Sequence, residues 1–123
     1  MATSRHYPLA RVVEVHDADT VRFDVDCGFS LHAYVWIRLL GVRAPELREP
    51  DGMAARNDTV MWLAEHAPTS LVALETFQTA GSGVLTEIHE RRTFIRYVGV
   101  VTAANGAELN KYLADKGFVD RGA

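Results

Sequence analysis

An arginine and a glutamate stand eight residues apart in Arg38-Leu39-Leu40-Gly41-Val42-Arg43-Ala44-Pro45-Glu46. A guanidinium is suited to bidentate contact with phosphate, and a carboxylate can orient water or accept its proton. Upstream, His16-Asp17-Ala18-Asp19-Thr20 places two acids around a short polar turn. Acids often cap the backbone in such turns, so Asp17 and Asp19 read first as turn formers. Further on, Arg96 lies among Phe94, Ile95 and Val98. An arginine in an otherwise apolar strand must be paired or must face a functional cleft.

The elements that would position these groups follow from apolar spacing. Leu31, Ala33, Val35, Ile37 and Leu39 alternate with His32, Tyr34, Trp36 and Arg38, the period of a half-buried strand. Pro45 cannot continue a ladder, so Glu46 projects from a stiffened loop just beyond it. Val21, Phe23 and Val25 alternate with Arg22, Asp24 and Asp26 in an earlier strand, and Leu9 to Val15 alternates loosely in a first one. The turn Cys27-Gly28-Phe29-Ser30 joins the second strand to the third, giving an antiparallel meander.

Beyond Glu46, Asp51 is a candidate N-cap for a helix over residues 52–67, with Val60, Leu63, Ala64 and Ala67 at helical spacing. Ser70 to Phe77 reads as a fourth strand with Val72, Leu74 and Thr76 on one face, and Thr93 to Val101 as a fifth. Ala80-Gly81-Ser82-Gly83 between them is a tip rather than a phosphate-binding loop, because no GK[ST] follows. Asn105-Gly106 signals a tight turn, and a helix over 108–116 carries Leu109, Tyr112 and Leu113 before Gly117. This order predicts a mainly β domain with two to three helices, arranged as a five-stranded OB-type barrel. An α+β sandwich fits the same order.

The 123 residues form one domain, with residues 1–8 expected as a flexible extension. Hydrophobic residues at 48% and charged residues at 24% are ordinary for a globular chain. A net charge of −3 argues against broad wrapping of DNA but allows a local basic cleft. Arg48 and Arg91 are expected to be solvated. Neither a membrane-spanning run nor a signal peptide is visible, so a cytoplasmic location with no membrane partner is expected. The single Cys27 is expected as a buried structural thiol, and the five histidines lack zinc-ligand spacing. The default oligomeric state is a monomer.

Taken together, these segments resemble the staphylococcal-nuclease-like (thermonuclease) domains. The D-G-D-T block of that family is answered by Asp17-Ala18-Asp19-Thr20, and its R-L-x-x-(I/V)-D-x-P-E block by Arg38 to Glu46. Its Y-G-R-x-L-(A/G) block is answered by Phe94-Ile95-Arg96-Tyr97-Val98-Gly99, and its closing N-x-x-L helix and glycine by Asn110, Leu113 and Gly117. The resemblance spans about Leu9 to Val119. It implies an OB-fold barrel that hydrolyses phosphodiester bonds of single-stranded or unwound DNA, or of RNA, with Ca2+.

Under that resemblance Arg38 and Arg96 bind phosphate, and Glu46 orients or deprotonates the attacking water. Asp19 and the carbonyl of Ala44 ligate calcium, and Asp17 supports them. Tyr34 and Trp36 are placed to stack on bases or to pack, and Arg43 adds to anion binding. One departure matters. The family has a metal-ligating aspartate where this chain has Arg43. Two unit charges at about 4 Å are worth roughly 4 kcal/mol at an effective dielectric near 20. The resemblance therefore implies either a nuclease with a weak or absent calcium site or a silent domain that binds nucleic acid or a protein. The family glycine replaced by Ala18 is the milder change, provided that residue needs no positive φ.

Overall fold

A computed structural model describes residues 4–78 and 97–119. The strands β1 (Ser4–Asp17), β2 (Thr20–Asp26), β3 (His32–Leu39), β4 (Leu71–Gln78) and β5 (Tyr97–Thr102) close a barrel in the order β1-β2-β3-β5-β4. Helices α1 (Gly52–His66) and α2 (Leu109–Asp115) complete the described elements. The chain is therefore mainly β with α, a closed mixed barrel. All pairings are antiparallel except β3 with β5, where Ile37, Arg38 and Leu39 lie opposite Tyr97, Val98 and Gly99. The expected first half of the fifth strand, Arg96 included, and the Ala80 to Gly83 tip lie outside the described residues.

The meander forms where period-two alternation puts one face inward. Val21, Phe23, Val25, Ile37 and Leu39 are buried, while Arg22, Asp24, Tyr34 and Trp36 face outward. Leu31 falls outside β3 and is exposed, so the buried stripe is shorter than the apolar run predicts. Val72, Leu74 and Thr76 of β4 are buried as their spacing predicts. Leu109 and Leu113 of α2 and Trp62 and Leu63 of α1 join the same core.

Three expectations need correction. The first strand begins at Ser4 rather than Leu9, and its first residues pair with β4 from Ser4–Phe77 to Tyr7–Leu74. Ser4 to Pro8 is thus part of the barrel wall, not an extension. Pro8 sits inside a register shift between Tyr7 and Ala10, where a strand tolerates a residue that cannot donate to the ladder. Further shifts at Val12/Glu14 and Val15/Asp17 break the alternation, because each bulge changes which residues face inward.

In α1 the helical period holds but its phase is rotated. Ala55, Thr59, Trp62 and Leu63 are buried, whereas Val60 and Ala64 are exposed. Thr59 is tolerated inside because its hydroxyl is satisfied, as described below. Asp51 occupies the N-cap position but makes no side-chain capping bond.

The thiol of Cys27 is exposed rather than buried, since the β2–β3 turn carries it past the end of the core. The residues after it, Gly28, Phe29 and Ser30, all have positive φ, and Phe29 is 97% exposed.

Candidate functional site

The β1–β2 turn is held from two sides. From α1, the buried Thr59 hydroxyl donates to the carbonyl of Ala18 at 2.7 Å, and Arg56 Nε donates to the carbonyl of Val15 at 2.9 Å. From the loop after β3, the Ala44 amide donates to Asp19 Oδ2 at 3.2 Å and the Leu47 amide to Asp17 Oδ1 at 2.7 Å. These acids therefore do more than shape their own turn. They tie it to backbone 25 and 30 residues away. Ala18 is fully buried and is not among the described residues with positive φ, so no glycine is required there.

Asp19 is 6% exposed. Its Oδ1 accepts from the Thr20 hydroxyl at 3.2 Å. Burial pushes its carboxyl above the ordinary aspartate range, because desolvation penalises the charged form. The Ala44 amide, the Arg38 guanidinium and the Thr20 hydroxyl pull the other way without cancelling burial, and the charge of Asp17 adds to the upward push. Arg38 belongs to this corner because it is the register partner of Thr20. The structure thus brings Asp17, Asp19, Arg38 and the Ala44 backbone together.

The other residues named from sequence lie elsewhere. Glu46 is exposed, and its Oε1 is 3.3 Å from Arg48 Nε. Its amide donates to Glu49 Oε1 at 2.7 Å, so the loop closes on itself there. Arg43 is exposed, and Arg38 rather than Arg43 is the cation among the main influences on Asp19. Its amide donates to the Phe118 carbonyl at 3.3 Å, beside a bridge between Val42 and Val119. Tyr34 and Trp36 stand on the outer face of β3, 61% and 42% exposed. Arg96 lies outside the described residues.

Several contributors were given no such role from the sequence. Gly52 sits where any Cβ would collide with the carbonyl oxygen of Glu46. A glycine at the mouth of a helix was its only signal. Asn110, 5% exposed, accepts from the Val101 amide at 3.0 Å and donates to the carbonyls of Leu40 and Gly99, both at 2.9 Å. It fixes the point where the chain leaves β3 for the loop. Arg22 lies with its guanidinium carbon 5.8 Å from the Tyr34 ring and 5.7 Å from the Trp36 ring.

Among the described residues no three acids, histidines or cysteines converge as a metal cluster. What exists is a pair of neighbouring carboxylates, one of them desolvated and unusually ready to hold a proton. A hard cation at that point would relieve the same electrostatic cost that a proton relieves. Asp17 and Asp19 each keep unused oxygen lone pairs beyond the bonds described. The donor set fits an oxygen-seeking divalent cation that retains much of its water, and does not fit a complete protein cage.

No described helix is long and apolar enough to cross a membrane. No family model matches the chain, and no curated protein matches it.

Proposed function

We propose that this chain is a nuclease-like domain of OB type that binds single-stranded or unwound nucleic acid and hydrolyses its phosphodiester bonds. The observation that carries this reading is the buried Asp19 carboxylate, tied to Ala44 and lying within the field of Arg38. A phosphodiester accumulates negative charge on its non-bridging oxygens during attack, and a guanidinium on a rigid strand stabilises it. Arg38 takes that part, with Arg96 as the second cation on the strength of the resemblance. Asp19 and Asp17, with the Ala44 carbonyl, would hold Ca2+, which when bound supplies Lewis acidity and an acidified water. Glu46 orients or deprotonates the attacking water only if it leaves Arg48, an exposed pair of small energetic worth. Cleavage of single-stranded DNA is measured with calcium, with EDTA and in Glu46→Gln. Calcium-dependent cleavage lost in both controls supports the reading, and cleavage that ignores both rejects it.

A second reading is a silent domain that binds nucleic acid or a protein partner. It is favoured by one observation, the exposure of Glu46 against Arg48 rather than against Asp19. Arg43 in place of an acid supports it further. Binding without cleavage at any calcium concentration selects it.

A further inference from the structure

Outside the acidic corner, the outer face of β2 and β3 carries a second chemical pattern. Tyr34, Trp36 and Arg38 follow one another at every second position of β3 and so share one face. Arg22 on β2 is the register partner of Trp36, and its guanidinium lies almost equally far from the Trp36 and Tyr34 rings. Its Nε is buried and has no hydrogen-bond partner among the described residues. Tyr34 is 61% exposed and Trp36 42%, so both offer part of their surface to solvent. His16 meets the Trp36 ring edge-on at 6.2 Å and so fixes one side of it. An Nε buried without a partner costs desolvation, and the half-covered rings beside it give little packing in return.

We propose that Tyr34, Arg22 and Trp36 form a stacking platform for successive bases of a single strand, running toward Arg38. This rests on the nucleic-acid reading above and extends it to a surface apart from the Asp17–Asp19 corner. Aromatic faces hold bases without regard to sequence, and a guanidinium adds cation–π attraction and a donor for phosphate or base oxygens. The charges around the platform are mixed. Arg11 lies opposite Asp24 and Glu14 opposite Arg22, while Asp24 is also bound to His32 at 2.7 Å. Asp17 borders the turn. Such a face cannot attract a strand by net charge, so base stacking carries the affinity. Duplex DNA hides its base faces and is excluded.

The test is binding of labelled oligo(dT) and oligo(U) by anisotropy in EDTA, so that no cleavage occurs, with tryptophan emission read in parallel. Trp62 is buried, so a quench reports Trp36. Saturable binding with quenching is expected, with a duplex of equal length binding far less tightly. Trp36→Ala and Tyr34→Ala should each weaken binding about tenfold, and Trp36→Phe should restore most of it. With Arg22 and Arg38 as the platform's phosphate contacts the salt slope should be shallow, about −1.4, and about −2.1 if Arg96 also engages the strand. Unchanged affinity in both alanine variants, equal binding of the duplex, or no binding by the wild type overturns the platform. Binding through the platform without calcium-dependent cleavage leaves the platform standing and rejects the hydrolytic reading. Cleavage with no effect of the alanine variants does the reverse.

Discussion

The carboxylate of Asp19 accepts a hydrogen bond from the backbone amide of Ala44, joining the β1–β2 turn to the loop that leaves β3. That bond holds a desolvated acid whose folded-state proton affinity exceeds its value in the unfolded chain, about 3.8. Between those two values the native state binds more protons, so stability falls as pH rises through the window. Above it the deficit is fully present. Asp19→Asn removes the charge and keeps an oxygen for Ala44, while the Thr20 hydroxyl can turn to accept from the new amide. The variant should melt higher than wild type at neutral pH, with the gap closing below 3.8. It should also lose any stabilisation by calcium. Thermal melts across pH, with and without calcium, check both; a variant that melts lower at neutral pH contradicts the assignment of burial as the dominant cause.

Arg43→Asp restores a carboxylate where the resembling family has one and removes a positive charge from the loop. Because Arg43 is exposed, screening limits the electrostatic part, and the gained ligand dominates. Calcium affinity by calorimetry should rise by on the order of tenfold. No change would place position 43 away from the cation. Tighter calcium without cleavage would favour the silent domain.

Gly52→Ala sets two effects against each other. An alanine in a helix is ordinarily better than glycine by up to about 1 kcal/mol. Here its Cβ would collide with the carbonyl of Glu46, and a backbone neighbour cannot swing aside. Overpacking of that kind costs about 1–3 kcal/mol, so it outweighs the propensity gain. The urea midpoint should fall, and a rise would mean that the loop over Gly52 yields freely.

Asn110→Ala removes one buried side chain that serves three backbone groups. The Gly99 carbonyl keeps the Leu40 amide as a partner, whereas the Val101 amide and the Leu40 carbonyl lose theirs. A loss of about 2–4 kcal/mol is expected from the desolvation of unsatisfied groups. Chemical denaturation measures it, and a loss below about 1 kcal/mol would mean that water replaces the amide.

How much of this was legible depended on whether side chains or backbone made the contact. In β2, β4 and the C-terminal end of β3 one clean face is buried, and alternation alone placed Phe23, Ile37 and Leu74 inside. In β1 the same signal failed, because three register shifts and Pro8 scramble the inward positions. The phase of α1 was misread because Thr59, a polar residue, occupies a core position that its bond to Ala18 makes acceptable. At the site, Asp17 and Asp19 stood out as acids around a turn. Their partners are the amides of Leu47 and Ala44, and a backbone amide has the same identity at every residue. The roles given to Arg38, Glu46 and Arg96 came from resemblance, not from spacing.

The pairing of Ser4 with Phe77 has a consequence for how this protein comes to be folded. The β1–β2–β3 meander closes through short turns, so it can form early. The N-terminal half of β1 must wait for β4, and β3 must wait for β5, across loops whose closure entropy precedes any contact. Folding should therefore be slow for a chain of this size. During that wait the growing meander offers two bare rows of amides and carbonyls to any neighbouring chain. The residues on the first row are Arg5 and His6, with Pro8 interrupting it, a combination that repels and misaligns a second copy.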